Sequence, residues 1–199
     1  MKHKVLARVP AFLGGLLLCA GSAFAGPVTA SLPGNSVYQL SLPLTDQYGK
    51  TWDWRSRRGH PQLVAMFYTS CPDMCPLIVD GGKAVEHALS TTERAELRIL
   101  FISLDPRHDT PAALMGIANN RKLDPARWSL ASPRPGDVRG VAGVLGVRYR
   151  QLADSEVNHT SALLLLDRDG RIVTRTEKIG SMVDPEFVAA VRRVLDQKT

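Results

Sequence analysis

Cysteine is scarce in this chain. Cys19, Cys71 and Cys75 are all that 199 residues contain, too few for the disulfide lattice of a small secreted scaffold. Charge of one sign is lacking as well. The formal net charge is +6, and Lys2, Lys4 and Arg8 supply three of those charges, so the remainder carries only about +3. Such a mildly basic surface makes no case for nucleic acid as a partner. A long uninterrupted apolar run is also missing. Residues 9–25 are only marginally long enough to span a bilayer, and Pro10, Gly14 and Gly15 weaken them further. No internal repeat or low-complexity segment is present. With 44% hydrophobic residues, the chain can bury one ordinary core.

The N-terminus has a plain reading. Basic residues 2–8, a mostly apolar stretch at 11–20 and the Ala23-Phe24-Ala25 cleavage pattern describe a secretory signal peptide cut after Ala25. An uncleaved N-terminal anchor is the alternative. A lipoprotein cut at Cys19 is disfavoured by Leu18, which stands where a small residue is needed. The expected organisation is therefore a signal at 1–25, a flexible tether at 26–36 rich in Gly, Pro, Ser and Thr, and one domain at 37–199. Cys19 and His3 leave with the signal. Cys71 and Cys75 remain, in an exported and most simply periplasmic protein.

Within the domain, residues 37–44 alternate enough for an edge strand. Asp46-Gln47-Tyr48-Gly49 is a turn, and 51–54 return as a short strand. Residues 63–68 form a continuous apolar run, the mark of a buried central strand. Helical spacing follows at 76–89 through Ile78, Val85 and Leu89, although Gly81-Gly82 lowers the propensity. Residues 97–104 are a second buried strand. Thr110 can cap a helix with Pro111 at its first position, running to about Arg121. A short extended piece is expected at 128–131, and a helix at 137–145 closed by Gly146. Strands follow at 147–151 and 161–167. A turn at 167–170 leads into a strand at 171–176, and a helix at 185–195 capped by Asp184 ends the domain. A β-α-β half followed by a β-β-α half predicts an α/β, thioredoxin-like fold, a central mixed sheet flanked by helices.

That fold puts Cys71-Pro72-Asp73-Met74-Cys75 at a strand-to-helix junction. A pair this close removes little unfolded-chain entropy when bridged, so stapling explains it poorly. Two chemistries remain, dithiol–disulfide exchange and soft-metal binding, and a helix N-terminus favours the thiolate for both. Spacing discriminates between them. Residues four apart on a helix have Cβ atoms about 5–6 Å apart, whereas a disulfide wants about 3.5–4.5 Å. Two thiolates on one metal sit roughly 4 Å apart, taking zinc–sulfur bonds as a guide. The spacing suits a chelate better, and a disulfide stays open if Pro72 makes the first turn irregular.

A third ligand would come from histidine. His87 reads as a surface residue on the helix after the motif, and His60, before Pro61, as a solvated loop residue. His108 follows the second buried strand on the same sheet edge as the thiols and is a weaker candidate. His159 lies just before the strand that opens the second half, where thioredoxins place a proline facing the cysteine pair. An S₂N set suits copper, as Cu(I) and, through the imidazole, Cu(II). Asp73 is read as facing water and Met74 as packing. Trp52, Trp54 and Trp128 read as packing aromatics and residues 55–58 as a solvated basic loop.

The sequence resembles the Sco/SenC family of copper-delivery proteins that act in cytochrome c oxidase assembly. The resemblance rests on the stretch from Phe67 through Pro76, on Ile102-Ser103-Leu104-Asp105-Pro106-Arg107-His108-Asp109-Thr110-Pro111, and on His159-Thr160-Ser161-Ala162 running into Leu166 through Arg171. It implies a copper site of Cys71, Cys75 and His159 with Asp105 close behind it. It also implies delivery of copper to the dinuclear centre of an oxidase subunit, or to another periplasmic copper protein, or reduction of that subunit's cysteines. Such a protein is a metallochaperone before it is an enzyme. Three departures stand out: Asn158 in place of a frequent acid, a short stretch at 147–158 and a cleavable signal in place of an anchor. A thiol–disulfide oxidoreductase using Cys71 and Cys75 is the competing reading. A peroxiredoxin-type peroxidase is a third; Thr69 suits it, but no motif arginine lies nearby in the sequence.

Overall fold

The computed structural model describes residues 31–71, 74–152 and 156–197, the side chains of Met74 and Cys75 excepted. The expected signal, residues 26–30 of the expected tether, Asp73 and the Met74 side chain lie outside the described residues. Among the described residues, no helix is long and apolar enough to cross a membrane.

Continuous apolar runs can be buried on both faces only at the middle of a sheet, and the three longest here lie there. β3 (Gln62–Phe67) and β8 (Leu163–Leu166) are buried at every position, and β4 (Arg98–Ser103) at all but its first. β3 pairs parallel with β4 and antiparallel with β8. β4 continues parallel into β5 (Trp128–Pro133). β1 (Pro43–Asp46) then pairs antiparallel with β5 and with β2 (Thr51–Asp53). β9 (Ile172–Thr176) closes the other side against β8. The seven-stranded order is β2-β1-β5-β4-β3-β8-β9, and β6 (Tyr149–Gln151) with β7 (Val157–His159) makes a separate ribbon. With α1 (Met74–His87), α2 (Thr91–Glu96), α3 (Pro111–Asn120), α4 (Val138–Val144) and α5 (Pro185–Asp196), this is the thioredoxin-like mixed sheet flanked by helices.

Local details depart from the sequence expectation for identifiable reasons. Residues 37–39 form a single 3₁₀ turn, because Ser36 caps it and anchors it by a 2.5 Å hydrogen bond to the Asp169 carbonyl. The strand therefore starts at Pro43, and it is β2 that forms the edge. The short helix α2 has a full capping box, Ser90 with Glu93, a signature that Ser90-Thr91-Thr92-Glu93 displays in the sequence. Thr110 and Asp184 cap α3 and α5 through Ala113 and Glu186.

The helix that carries the thiol motif is fixed at both ends. Near its C-terminus, Glu86 accepts from Trp128 Nε1 at 3.0 Å and from Arg127 Nε at 2.6 Å, both on or beside β5. Near its N-terminus, Arg121 donates to the Pro76 carbonyl at 3.0 Å and pairs with Asp80. Gly81-Gly82 marks the line of closest approach. A Cβ on Gly82 would stand 2.7 Å from the Trp128 ring, and one on Gly81 3.3 Å from Leu163. The glycines that cost helix propensity let α1 lie against the sheet.

Candidate functional site

The site grows from the end of β3. Tyr68, Thr69, Ser70 and Cys71 leave the buried strand in sequence, and the Cys71 N–H donates to the Tyr68 carbonyl at 3.4 Å. Thr69 is held by a carboxylate from across the sheet edge. Its N–H and its hydroxyl both donate to Asp109 Oδ1, at 3.0 and 2.5 Å, while Ser103 Oγ donates to Oδ2 at 2.5 Å. Asp109 is 1% exposed. Burial pushes its carboxyl above the ordinary range, and the donors from Ser103 and Thr69 oppose that shift. Asp109 thus sets the exit of the thiol loop. Its signal in the sequence is its place in the Asp105–Pro111 stretch, and only the fold shows what it holds.

Tyr68 joins the thiol loop to the histidine. Its buried hydroxyl accepts the Val157 N–H at 3.3 Å, and its ring meets the His159 ring edge-on, centroids 5.9 Å apart at 73°. His159 is the last residue of β7, paired with Tyr149 of β6, where the sequence suggested a loop. Its Nδ1 lies 3.2 Å from the Thr160 carbonyl. A carbonyl only accepts, so the proton sits on Nδ1 and the Nε2 lone pair is free. That Nε2 is buried and has no hydrogen-bond partner among the described residues. Burial lowers the pKa of the ring and the Thr160 contact opposes this, so the imidazole is held neutral at pH 7. A neutral ring fixed through one nitrogen, with the other unprotonated, is the form that binds a metal ion.

Cys71 is half-buried and borders a small hollow with Tyr68, while His159 borders a wider cleft with Arg148, Arg150 and Asn158. Tyr68 lines the hollow, and its ring meets His159 of the cleft. The backbone of Cys75 lies in the first turn of α1, and its side chain is outside the description. Asp105 is buried, with Oδ2 2.6 Å from His108 Nδ1, and its N–H donates to Ser103 Oγ at 2.9 Å. His108, His87 and His60 are all exposed.

The sequence profile of the SCO1/SenC family matches residues 33–196. A SCO2-like protein of Rickettsia typhi is 26% identical over 136 residues, covering 67% of this chain and 66% of that relative, just under two thirds of its length. Among solved structures, Bradyrhizobium japonicum ScoI with copper bound aligns at a TM-score of 0.66 and 30% identity, covering 78% of this chain and 98% of that one. BsSco, described as a member of the Sco family of cytochrome c oxidase assembly proteins with a disulfide switch, aligns at 0.68 and 21% over 80% of this chain and 94% of its own.

Proposed function

The chain belongs to the SCO1/SenC family, and on that footing we propose that it is an exported copper-binding protein of oxidase assembly. Reduced Cys71 and Cys75 supply two thiolates, and neutral His159 supplies Nε2. Copper is cargo. Two soft sulfurs with one imidazole hold Cu(I) and accommodate Cu(II). Three ligands leave an open side for an acceptor's thiolates and imidazoles to enter, and the ion passes by ligand exchange to a copper-accepting oxidase subunit. Oxidation of the pair to a disulfide removes both thiolates and unloads the metal. Asp105 acts at one remove, through His108 and the loop after β4.

The observation that carries this reading is the buried, unpartnered Nε2 of His159, tied through Tyr68 to the strand end that presents Cys71. The test is a titration of the reduced protein with Cu(I) and Cu(II). His159→Ala is expected to weaken Cu(II) binding far more than Cu(I) binding, since the thiolates alone satisfy the softer ion. Equal, negligible effects on both ions would remove His159 from the site. The second reading is a thiol–disulfide oxidoreductase that reduces the acceptor's cysteines. It is favoured by the position of Cys75 in the first turn of a 14-residue helix, where the dipole stabilises a thiolate. Turnover that survives His159→Ala, with no copper taken up under reducing conditions, would select it.

A further inference from the structure

The ribbon that holds His159 has a second side. Along a strand side chains alternate sides, and directly paired residues share one. Tyr149 and His159 are paired, so they lie together, and His159 meets the Tyr68 ring. Arg150 pairs with Asn158 on the opposite side. Arg148 stands two residues back on that same side, and its carbonyl accepts the Thr160 N–H at 2.8 Å. Both arginines are exposed. Neither side chain makes a hydrogen bond or an ion pair among the described residues, whereas Arg58, Arg127, Arg134, Arg171 and Arg175 each pair with a carboxylate. The two line a cleft of about 680 Å³ that His159 also borders. Among the described residues lining it, Glu177 is the only carboxylate, and it is spent on Arg175 Nη2 at 2.7 Å. Two uncompensated positive charges therefore stand beside the proposed histidine ligand. Their Cα atoms are about 7 Å apart, the repeat of an extended strand.

We propose that this cleft docks an acidic segment of the copper acceptor, an extended stretch with two carboxylates two residues apart. That the partner is a copper acceptor rests on the copper reading; the preference for an acidic segment rests on the cleft alone. Each guanidinium takes one carboxylate, and its planar fork suits that group better than a point charge would. The contacts lie in water at the rim. They steer the encounter and fix its orientation more than they add affinity. A segment laid across Arg148 and Arg150 brings the rest of the acceptor to the cleft that His159 borders. The ribbon is the part of the chain where the sequence is short and has Asn158 in place of an acid. An acidic residue there would have offered Arg150 a partner within the chain and reduced the charge left for an acceptor.

The test titrates the reduced, metal-free chain into a fluorescein-labelled Ser-Glu-Ser-Glu-Ser-Glu peptide and follows anisotropy. In about 10 mM salt the peptide should bind, and in about 150 mM salt the affinity should fall as the charges are screened. Arg148→Gln and Arg150→Gln should each weaken binding about three- to fivefold. Arg193→Gln removes the same charge from an exposed position on α5 and should leave binding unchanged. The double variant Arg148→Glu with Arg150→Glu should reverse the preference, toward the lysine version of the peptide. No binding, an equal loss in Arg193→Gln, or tighter binding of a single-stranded oligonucleotide of the same charge overturns the proposal. Copper uptake by the chain is scored separately. Normal uptake without peptide binding rejects this docking surface alone, and peptide binding at the two arginines without uptake rejects the copper reading alone. With both present, Cu(I) should pass faster to a Glu-Ser-Glu-Ser-Cys peptide than to Lys-Ser-Lys-Ser-Cys, and equal rates would remove the cleft from transfer.

Discussion

Single side chains set the geometry of the candidate site, and the contacts that two of them make were not legible in the sequence. Tyr68 looked like the last apolar residue of a strand. In the fold its hydroxyl takes the Val157 N–H and its ring backs His159. Tyr68→Phe leaves that buried N–H without its acceptor, at a cost of about 1–3 kcal/mol, and keeps the ring contact. The denaturant midpoint should fall while Cu(II) binding changes little; the reverse pattern would deny Tyr68 this bridging role. Asp109 is the other. A carboxyl whose folded pKa is raised contributes stability that is complete below its unfolded value of about 3.9 and is lost as pH rises through the folded value. Asp109→Asn cannot titrate. Its cost relative to wild type should therefore be largest near about pH 3 and should shrink toward about pH 7. A cost that grows with pH in parallel denaturant titrations would contradict the burial argument.

Elements are placed by how closely they can approach. Propensity alone makes Gly82→Ala in α1 a gain of about 1 kcal/mol. The added Cβ meets the Trp128 ring at 2.7 Å, and overpacking a core costs about 1–3 kcal/mol. Packing wins because Trp128 cannot retreat, with its Nε1 bonded to Glu86 of the same helix. Gly82→Ala should lower the melting temperature, and an increase would mean that α1 has slack against the sheet. The ribbon of β6 and β7 shows the same logic from the opposite side. Its pairing is short and its sequence polar, so periodicity gave β6 only in outline and β7 not at all. The Tyr68 hydroxyl and the Tyr149–His159 pairing define it.

For the whole molecule, the copper reading has a thermodynamic signature. A ligand that binds only the folded state stabilises it by about 4 kcal/mol at a thousandfold excess over Kd. For a domain of this size that is a rise of roughly 10 °C in melting temperature. The reduced chain with Cu(I) should show such a rise, and the chain oxidised at Cys71 and Cys75 should show none. A rise of equal size in both states would mean that the thiolates are not the ligands.

What the amino-acid order decided by itself was the frame. Continuous apolar runs have one stable destination, the middle of a sheet, so β3, β4 and β8 were readable, as were the Thr110 and Asp184 caps whose bonds are local. The family resemblance was readable too, because the thiol motif and the stretch from Asp105 to Pro111 are contiguous. Contacts between segments far apart in the chain leave no periodic trace. That Asp109 grips Thr69, that the Tyr68 ring meets His159, and that Arg121 ties the end of α3 to the first turn of α1 were settled only when the sheet brought strand ends and helix ends to one edge.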